Sequence, residues 1–252
     1  MQSADGFYDQ LGEGYDTVIN WDERLGREAP FYRDLFAREG TGSVLNTACG
    51  TGEHAALFAS WGLEVVGADI SAEMIATCRR KYAGQPIEWV EAGFSETFDA
   101  LGRSFDAVTC LGNSWPHVLT DREATRAAQD LARLTKPRGV LVIQQLNYEA
   151  MRLRGERLMG PQVRMIEGKE TLFLRIFDLD RDPIRFTMVK LTRDVDAWTR
   201  EDWETEHRVW GHEAVRSLLQ GAGFRSVECF GGFAPSPFEP SSSDQIVLVA
   251  HH

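Results

Sequence analysis

The stretch VLNTACGTGEH, residues 44–54, is the most informative part of the sequence, because an apolar run passes directly into a glycine-containing turn and then into helix-like sequence. Glycine has no Cβ, so Gly50 and Gly52 allow the backbone to approach a ligand closely at this turn. In open α/β sheets, ligands bind outside the carboxyl ends of the strands, where this turn falls. The stretch therefore predicts a strand, a ligand-binding turn and a helix.

Strand-like apolar runs alternate with helix-like segments along most of the chain, which is typical of a parallel sheet covered by helices on both faces. Thr120 and Glu123 have the spacing of a capping box and predict the start of a helix that Pro137 and Gly139 stop. A later helix is predicted at 211–221. The predicted strands are 44–46, 64–69, 87–92, 105–111, 139–146, 226–230 and 245–250.

Residues 151–207 interrupt this alternation. Two runs rich in β-forming residues, 171–179 and 184–191, are separated by the polar turn Asp180-Arg181-Asp182-Pro183, which predicts an antiparallel hairpin. Trp198 and Trp203 lie at helical or loop spacing and are expected to pack in the core or at an interface.

Composition narrows the classes of function. The net charge of −11 has no compensating basic cluster, which disfavours binding to nucleic acid. No apolar run approaches the roughly 18 residues needed to span a bilayer, and the first ten residues do not resemble a secretory signal. Four dispersed cysteines indicate reduced thiols. We expect a cytoplasmic protein without a metal site, since its histidines do not lie at ligand spacing.

An acidic residue follows the second predicted strand. Asp69 lies just short of 20 residues beyond Gly50 and can accept both hydroxyls of a ribose. The turn and Asp69 together predict an adenosine-type ligand. Because residues 50–55 also satisfy G-x-G-x-x-A, a nicotinamide-dependent oxidoreductase stays open on the residues alone.

Four stretches resemble class I S-adenosylmethionine-dependent methyltransferases, and in particular the glycine and sarcosine N-methyltransferases. Residues 44–54 resemble the first motif of that family, and GADISAEMIATCRRK, 67–81, resembles the second. CLGNSWPHV, 110–118, is similar to the segment beneath the cofactor sulfonium, and GYDTVINWDERLGREAPFY, 14–32, to a helical lid. The resemblance implies S-adenosyl-L-methionine as cofactor and a doubly wound, seven-stranded Rossmann-like methyltransferase sheet.

The same resemblance implies a division of the chain and a set of cofactor-binding residues. The expected parts are a lid (1–40), a cofactor-binding α/β core (41–150), an antiparallel β insertion over the substrate pocket (151–207) and the rest of the core (208–252). The implied cofactor-binding residues are Tyr15, Arg24, Ala48, Gly50, Gly52, Asp69, Ile70, Gly93, Phe94 and Leu111.

Specific roles follow for several of these residues. The resemblance places Asp69 on the ribose, Ile70 beside the adenine and Arg24 on the methionine carboxylate, with Arg27 as the alternative. Gly93 stands where many relatives carry an acidic residue, so backbone groups and Phe94 are expected to hold the adenine. The usual acidic residue of the first motif is Asn46 here, which removes one charge near the cofactor.

Acceptor chemistry is expected in the segment 110–118. An amine attacks only when it is neutral, and His117 is a candidate base because imidazole titrates near neutral pH; the alternative is a histidine that orients the loop. Asn113 is the candidate positioning residue, and Trp115 and Tyr148 are candidate walls of the acceptor pocket. Aromatic lid residues such as Tyr8 could provide cation–π contacts.

One departure from the relatives limits the choice of acceptor. Where those enzymes carry an arginine that grips the substrate carboxylate, this chain reads QQLNY over 144–148. Glycine is therefore disfavoured as substrate unless Arg152 or Arg154 substitutes. We expect methyl transfer to a small-molecule amine, in a monomer or homodimer. An O-methyltransferase, an amino-sugar or natural-product N-methyltransferase, and a cofactor-binding regulator without catalysis remain the alternatives.

Overall fold

The computed structural model describes residues 4–11, 15–234 and 236–252. Its helices are α1 Ala4–Leu11, α2 Tyr15–Val18, α3 Trp21–Glu39, α4 Glu53–Ala59, α5 Ala72–Lys81, α6 Thr97–Leu101, α7 Asp121–Leu134, α8 Tyr148–Arg154 and α9 His212–Gly221, with a short 3-10 helix at Trp115–His117. Its strands are β1 Ser43–Thr47, β2 Glu64–Asp69, β3 Ile87–Glu91, β4 Phe105–Cys110, β5 Thr135–Leu146, β6 Leu158–Ile166, β7 Lys169–Asp178, β8 Ile184–Asp194, β9 Ala197–His207, β10 Ser226–Phe230 and β11 Gln245–His251.

Within the described ranges, seven strands form one mixed sheet in the order β10-β11-β5-β4-β1-β2-β3. Strands β1 to β5 pair in parallel, and β11 lies antiparallel between β5 and β10. Buried apolar clusters cover both faces of this sheet. The predicted doubly wound, Rossmann-like fold is confirmed.

Local signals explain where the core helices begin. The Thr120 hydroxyl accepts from the backbone N–H of Glu123 at 3.2 Å, and the Glu123 carboxylate accepts from the backbone N–H of Thr120 at 3.0 Å. The Ser71 side chain likewise caps α5 by accepting from the Met74 N–H. The capping box predicted for α7 is confirmed.

Strand β5 begins earlier than predicted. Thr135 already pairs with Phe105, and the register shifts before Val140 pairs with Ala107. The intervening residues contain Arg138 at φ 67°. Residues 136–139 therefore form a bulge that interrupts the pairing without ending the strand. Pro137 and Gly139 are typical of such a bulge as well as of a helix end, and the sequence alone did not distinguish the two.

A second antiparallel sheet of four strands, in the order β6-β7-β8-β9, follows α8 in the part of the chain that is described. The predicted hairpin is its central pair, β7 and β8. The two flanking strands were not predicted. β6 contains Pro161, and five of the eleven residues of β9 are charged. Lys190 of β8 pairs with Glu201 of β9 at 2.8 Å. Trp198 and Trp203 lie in β9, so their predicted helical or loop setting is wrong.

The lid helices α1 to α3 cover the carboxyl edge of the large sheet. Asn20 caps α3 by accepting from the Glu23 N–H, and Gly40 ends it in the left-handed conformation. Asp16 of α2 ties the lid to the core: its carboxylate accepts from the hydroxyl of Thr51 and from the ammonium group of Lys81. Among the described helices, none combines the length and apolar character needed to cross a bilayer.

Candidate cofactor and acceptor site

A cavity of about 380 Å³ opens at the carboxyl ends of β1 and β2, under the lid. This volume lies in the range of ordinary small-molecule sites, roughly 300 to 1,000 Å³. Nine of the residues predicted from the sequence line it: Arg24, Ala48, Gly50, Asp69, Ile70, Gly93, Phe94, Leu111 and His117. Residues from five separate segments therefore meet at the place that the glycine turn indicated.

Asp69 lies at the end of β2 with its carboxylate held from two sides. Oδ2 accepts from the Gly50 N–H at 2.8 Å, and Oδ1 accepts from the Ser71 N–H at 2.9 Å. Burial raises the pKa of Asp69, and the two backbone donors oppose that shift. Each carboxylate oxygen has a second lone pair, so this side chain can still accept from two neighbouring hydroxyls.

One end of the cavity is apolar and flat-sided. Ile70 is 50% exposed although it is a large apolar residue, and it faces this cavity together with Phe94. A Cβ at Gly93 would lie 3.0 Å from Ile70 Cδ1, so glycine leaves Ile70 its place. The Gly93 carbonyl already accepts from the Thr97 hydroxyl at 2.9 Å. This end has the surface that an aromatic base needs.

The other end carries a buried ionic cluster. Arg24 Nε donates to Glu28 at 2.9 Å, and His54 Nε2 lies 2.8 Å from the second oxygen of Glu28. Burial raises the pKa of Glu28, but the His54 hydrogen bond and the Arg24 charge outweigh it and leave the pKa lowered. Burial lowers the pKa of His54. A neutral His54 that donates to an ionised Glu28 therefore fixes Arg24 at the cavity wall.

One predicted cofactor residue, Gly52, is not among the described residues that line the cavity. Gly52 starts α4 at φ 87°, and a Cβ there would lie 2.6 Å from the Trp89 ring. Position 52 therefore requires glycine, both for its backbone conformation and because the Trp89 ring leaves no room for a Cβ. Tyr15 begins α2, and its side chain lies outside the described part of the structure.

A second, more polar cavity of about 560 Å³ adjoins the first, between α3, the end of β5 and the insertion sheet. A third space of about 70 Å³ lies under Phe186 and Met188. Gly112 lines all three, and Asn113 lines the second and third. Gly112 therefore marks the place where a cofactor and an acceptor would meet.

Five polar side chains form a continuous hydrogen-bonded network beside Gly112. Asn113 Nδ2 donates to Tyr148 Oη at 2.7 Å, and Tyr148 Oη lies 2.6 Å from His207 Nδ1. His207 Nε2 lies 3.2 Å from His117 Nε2, which also lies 3.1 Å from Tyr8 Oη. His117 and Tyr8 line the cofactor cavity, so the network ends at its wall.

The two histidines of this network are neutral at neutral pH. Burial lowers the pKa of His117 to about 4. Burial, together with the neighbouring His117, lowers the pKa of His207 well below its ordinary value. A histidine in this state keeps an unprotonated ring nitrogen, which is the form a general base requires.

The two predicted acceptor-pocket walls lie behind the cavities. Trp115 is fully buried between Phe94 and Trp210, at ring distances of 6.1 Å and 6.3 Å. Tyr148 is 2% exposed and reaches the site through Asn113 and His207. This placement favours packing for Trp115 and an indirect role for Tyr148.

Sequence reasoning did not single out Asp16, Arg175 or His207. Arg175, on β7, lines the second and third cavities. No local motif marks these residues, because they belong to the lid or to charged insertion strands. The two arginines proposed as carboxylate clamps have other partners: Arg152 donates to the Leu179 and Arg181 carbonyls, and Arg154 pairs with Glu156 and Asp244.

No group of three or more His, Cys, Asp or Glu side chains placed to hold a metal ion occurs among the described residues.

Comparison with known proteins gives concordant results. Residues 44–139 match a family model described as a methyltransferase domain. Over 231 residues the chain is 32% identical to a glycine/sarcosine/dimethylglycine N-methyltransferase from Actinopolyspora halophila, covering 90% of this chain and 38% of that protein. Over 138 residues it is 36% identical to a dTDP-3-amino-3,6-dideoxy-alpha-D-glucopyranose N,N-dimethyltransferase from Streptomyces fradiae, covering 54% of this chain and 52% of the relative.

A solved structure extends the likeness over nearly the whole chain. The sugar N-methyltransferase KedS8 from Streptoalloteichus superposes with a TM-score of 0.74 at 26% identity, covering 96% of this chain and 94% of that one. By contrast, this chain spans 38% to 59% of the length of the first curated relatives that it matches.

The strand order, the glycine turn and the acidic residue after β2 define an α/β protein that binds an adenosine-type cofactor at the carboxyl edge of its sheet. With the comparisons, the chain belongs to the class I S-adenosylmethionine-dependent methyltransferases. S-adenosyl-L-methionine is accordingly the cofactor of its family.

The cavity fits this cofactor chemically. Asn46 donates through Nδ2 to the Thr109 hydroxyl at 3.0 Å, while its buried Oδ1 has no hydrogen-bond partner among the described residues. Asn46 lines the cavity, so this oxygen is an acceptor for a ligand donor such as an ammonium group. Asp69 can hold the ribose, Ile70 and Phe94 the adenine, and Arg24 the carboxylate.

Proposed function

We propose that the protein transfers a methyl group from S-adenosyl-L-methionine to an amine nitrogen of a small molecule. The observation that carries this proposal is the neutral His117 at the wall of the cofactor cavity, beside Gly112, where the cofactor and acceptor cavities meet. In-line displacement with a nearby neutral base is the chemistry that amine methylation needs.

When bound, S-adenosyl-L-methionine supplies a methyl group on positively charged sulfur, which keeps the bonding electron pair when an acceptor nitrogen takes the methyl. In this proposal Arg24, Asp69 and Ile70 hold the two ends of the cofactor, and Asn113 orients the acceptor nitrogen. The newly alkylated nitrogen must lose a proton, and His117 is the group that takes it up. Tyr8 and Trp21 close the cavity from the lid side.

The acceptor cavity supports an acceptor rich in hydrogen-bond donors. Gln162 Oε1 and Gln245 Oε1 are both buried, lie on residues that line it, and lack a hydrogen-bond partner among the described residues. Such oxygens are satisfied by hydroxyl or amino groups of a ligand. This favours a polyhydroxylated amine over a simple amino acid, in agreement with the amino-sugar acceptors named for two of the relatives.

We further propose that the protein works in the cytoplasm on a small-molecule acceptor, as a monomer or homodimer and without nucleic acid. The net charge of −11 supports the exclusion of polyanionic substrates.

Calorimetric titration with S-adenosylhomocysteine tests the cofactor, with NAD as the parallel ligand and Asp69→Ala as the variant. We expect the wild type to bind S-adenosylhomocysteine and the Asp69→Ala variant not to bind it. NAD is expected to give no heat of binding with the wild type. Mass spectrometry of reactions with amino sugars, amino acids and their hydroxyl analogues then tests the acceptor. Methylation of hydroxyl analogues alone would replace the amine with an oxygen acceptor, and NAD binding alone would overturn the proposal.

A further inference from the structure

The third cavity, beneath the insertion sheet, has a largely apolar wall. Phe7, Val18, Phe177, Phe186 and Met188 line it, and all five are buried. The ring centroid of Phe186 lies 5.8 Å from that of Phe7 and 5.1 Å from that of Phe177. Apolar clusters are normally packed without spaces larger than a water molecule. An open space with such walls suits an alkyl group.

Two polar side chains that face this cavity make their hydrogen bonds elsewhere. Asn113 donates from Nδ2 to Tyr148 Oη at 2.7 Å, and its Oδ1 accepts the Leu146 backbone N–H at 2.8 Å. Both ring nitrogens of His207 are engaged, Nδ1 with Tyr148 Oη at 2.6 Å and Nε2 with His117 Nε2 at 3.2 Å. Asn113 and His207 therefore offer little to a polar ligand group in this cavity.

The volume of the third cavity, about 70 Å³, limits the size of the group that it can hold. A water molecule takes up about 30 Å³ in the liquid, and a methyl group is of similar size. A methyl or ethyl group therefore fits, whereas a sugar ring needs the larger acceptor cavity.

The position of the third cavity relates it to the reacting nitrogen. Gly112 lines all three cavities, and Asn113, which orients the acceptor nitrogen in the proposed function, lines the second and third. An amine nitrogen is tetrahedral. When its lone pair faces the cofactor methyl group and its carbon skeleton lies in the acceptor cavity, a second substituent points in a further direction. The third cavity meets the other two at Gly112 and can receive that substituent.

We propose that the third cavity, called the alkyl subsite below, binds an alkyl group already attached to the acceptor nitrogen, so that the protein methylates secondary amines as well as primary ones. The inference rests on the proposed function for its reaction. In the second transfer the nitrogen lone pair forms a bond to the methyl carbon, the carbon–sulfur bond breaks, and sulfur keeps the bonding pair. The tertiary ammonium ion formed gives its single proton to the base that serves the first transfer.

The charge of Arg175 acts on the same nitrogen, since Arg175 lines both the acceptor cavity and the alkyl subsite. Burial raises the pKa of Tyr148, while the Asn113 hydrogen bond and the Arg175 charge oppose that rise. The positive charge is therefore felt beside the alkyl subsite. A cation there repels an ammonium ion and favours the neutral secondary amine, which is the form that attacks.

Xenon binding tests the alkyl subsite without any acceptor, because dry apolar cavities take up xenon. The probe is the ¹³C-labelled methyl group of Met188 in the full chain, and Met188→Leu identifies its resonance. The Met188 signal of the wild type is expected to shift under xenon pressure. An unshifted signal would overturn the proposal, because the space would then be closed or filled with water.

Substitutions at Val18 change the size of the alkyl subsite in both directions. Each amine that the acceptor screen identifies is compared with its N-methyl and N-ethyl derivatives by kcat/KM, and the products are counted by mass spectrometry. The wild type is expected to methylate the N-methyl derivative and to convert the primary amine to a dimethylated product. Val18→Phe fills the subsite and is expected to lower kcat/KM for the N-methyl derivative, relative to the primary amine, at least tenfold.

Val18→Ala enlarges the subsite and is expected to raise the relative kcat/KM of the N-ethyl derivative about threefold or more. Binding of S-adenosylhomocysteine shows that each variant is folded. Val195→Phe is the matched control, because it makes the same change at a residue that is 90% exposed. It is expected to keep the wild-type ratios and the wild-type response of Met188 to xenon.

Two results on turnover would overturn the alkyl subsite. One is a wild type that methylates a primary amine but not its N-methyl derivative, and the other is a folded Val18→Phe variant with wild-type ratios. Absence of turnover with every amine would instead contradict the proposed function, and the xenon response of Met188 would then decide separately whether the apolar subsite exists.

Discussion

At the scale of single residues, the cofactor cavity is lined by side chains that use only part of their hydrogen-bonding capacity within the protein. Asp69 takes one N–H on each oxygen and keeps one lone pair per oxygen for a ligand. Asn46 uses its nitrogen internally and keeps its oxygen free. The structure thus provides acceptor oxygens on two separate strands that line the cofactor cavity.

Asp69→Asn is expected to weaken binding of S-adenosylhomocysteine about ten- to a hundredfold, because the amide loses the charge and presents a donor to a backbone N–H. Calorimetry measures the change in Kd. Glu73→Gln on the exposed side of α5 is the matched control and is expected to bind as the wild type does. Equal Kd values for Asp69→Asn and the wild type would remove Asp69 from the cofactor site.

His117→Asn is expected to lower kcat for amine methylation by about 10² to 10⁴, the usual contribution of a general base, with little change in cofactor affinity. Because burial lowers the pKa of His117 to about 4, the wild-type rate should not fall near pH 6.5 through this residue. Steady-state rates from pH 5 to 9 measure this. A full-rate His117→Asn variant would leave His117 with the loop-orienting role.

At the scale of elements, the lid is held by contacts that the sequence did not reveal. Asp16 of α2 accepts from the Trp21 indole N–H at 3.0 Å as well as from Thr51 and Lys81. Thr51 belongs to the glycine turn and Lys81 to the last turn of α5. One carboxylate therefore joins the lid to the two core segments that shape the cofactor cavity.

Asp16→Asn is expected to raise the Kd for S-adenosylhomocysteine about five- to thirtyfold, corresponding to roughly 1 to 2 kcal/mol for these partly exposed contacts. The core should be unaffected, because the change lies in the lid. Calorimetry and thermal unfolding measure the two effects. Asp34→Asn, exposed on α3, is the control. An equal loss of affinity in both variants would argue against a specific role for the Asp16 contacts in holding the lid.

The sequence predicted helices and strands correctly where their local patterns were strong. Strands β1 to β5 are short apolar runs bounded by polar residues, and α7 begins with a capping box, so both kinds of element could be identified directly. β9 has no alternating apolar pattern, because its charged side chains pair with β8 and stay in water. Such a strand is stabilised by its neighbours, so its own sequence could not reveal it.

At the scale of the whole molecule, three histidines with lowered pKa values make stability depend on pH. His54, His117 and His207 all have lowered pKa values, chiefly through burial. An unfolded histidine titrates near about 6.5. Between that value and the folded values the unfolded chain binds more protons, so the free energy of unfolding falls as the pH falls.

We expect the free energy of unfolding to drop between pH 6.5 and about 4, by up to roughly 1.4 kcal/mol per pH unit for each histidine that protonates only on unfolding. Urea titrations at pH 7, 6 and 5 measure the slope. In His207→Phe the slope should be smaller, since one of the three groups is gone. Identical slopes in the variant and the wild type would contradict the assignment of a neutral buried His207.

The doubly wound sheet and an adenosine-type ligand could be predicted from the amino-acid sequence, because both depend on short-range patterns: alternating apolar runs, a glycine turn directly after a strand, and one acidic residue after the next strand. The residues that line the second and third cavities come from distant parts of the chain, so the folded structure was needed to find them. His207 lies 90 positions from His117 and meets it because β9 returns along the insertion sheet to the 3-10 helix at Trp115–His117. A contact of that kind arises from packing between distant segments, and no local periodicity records it.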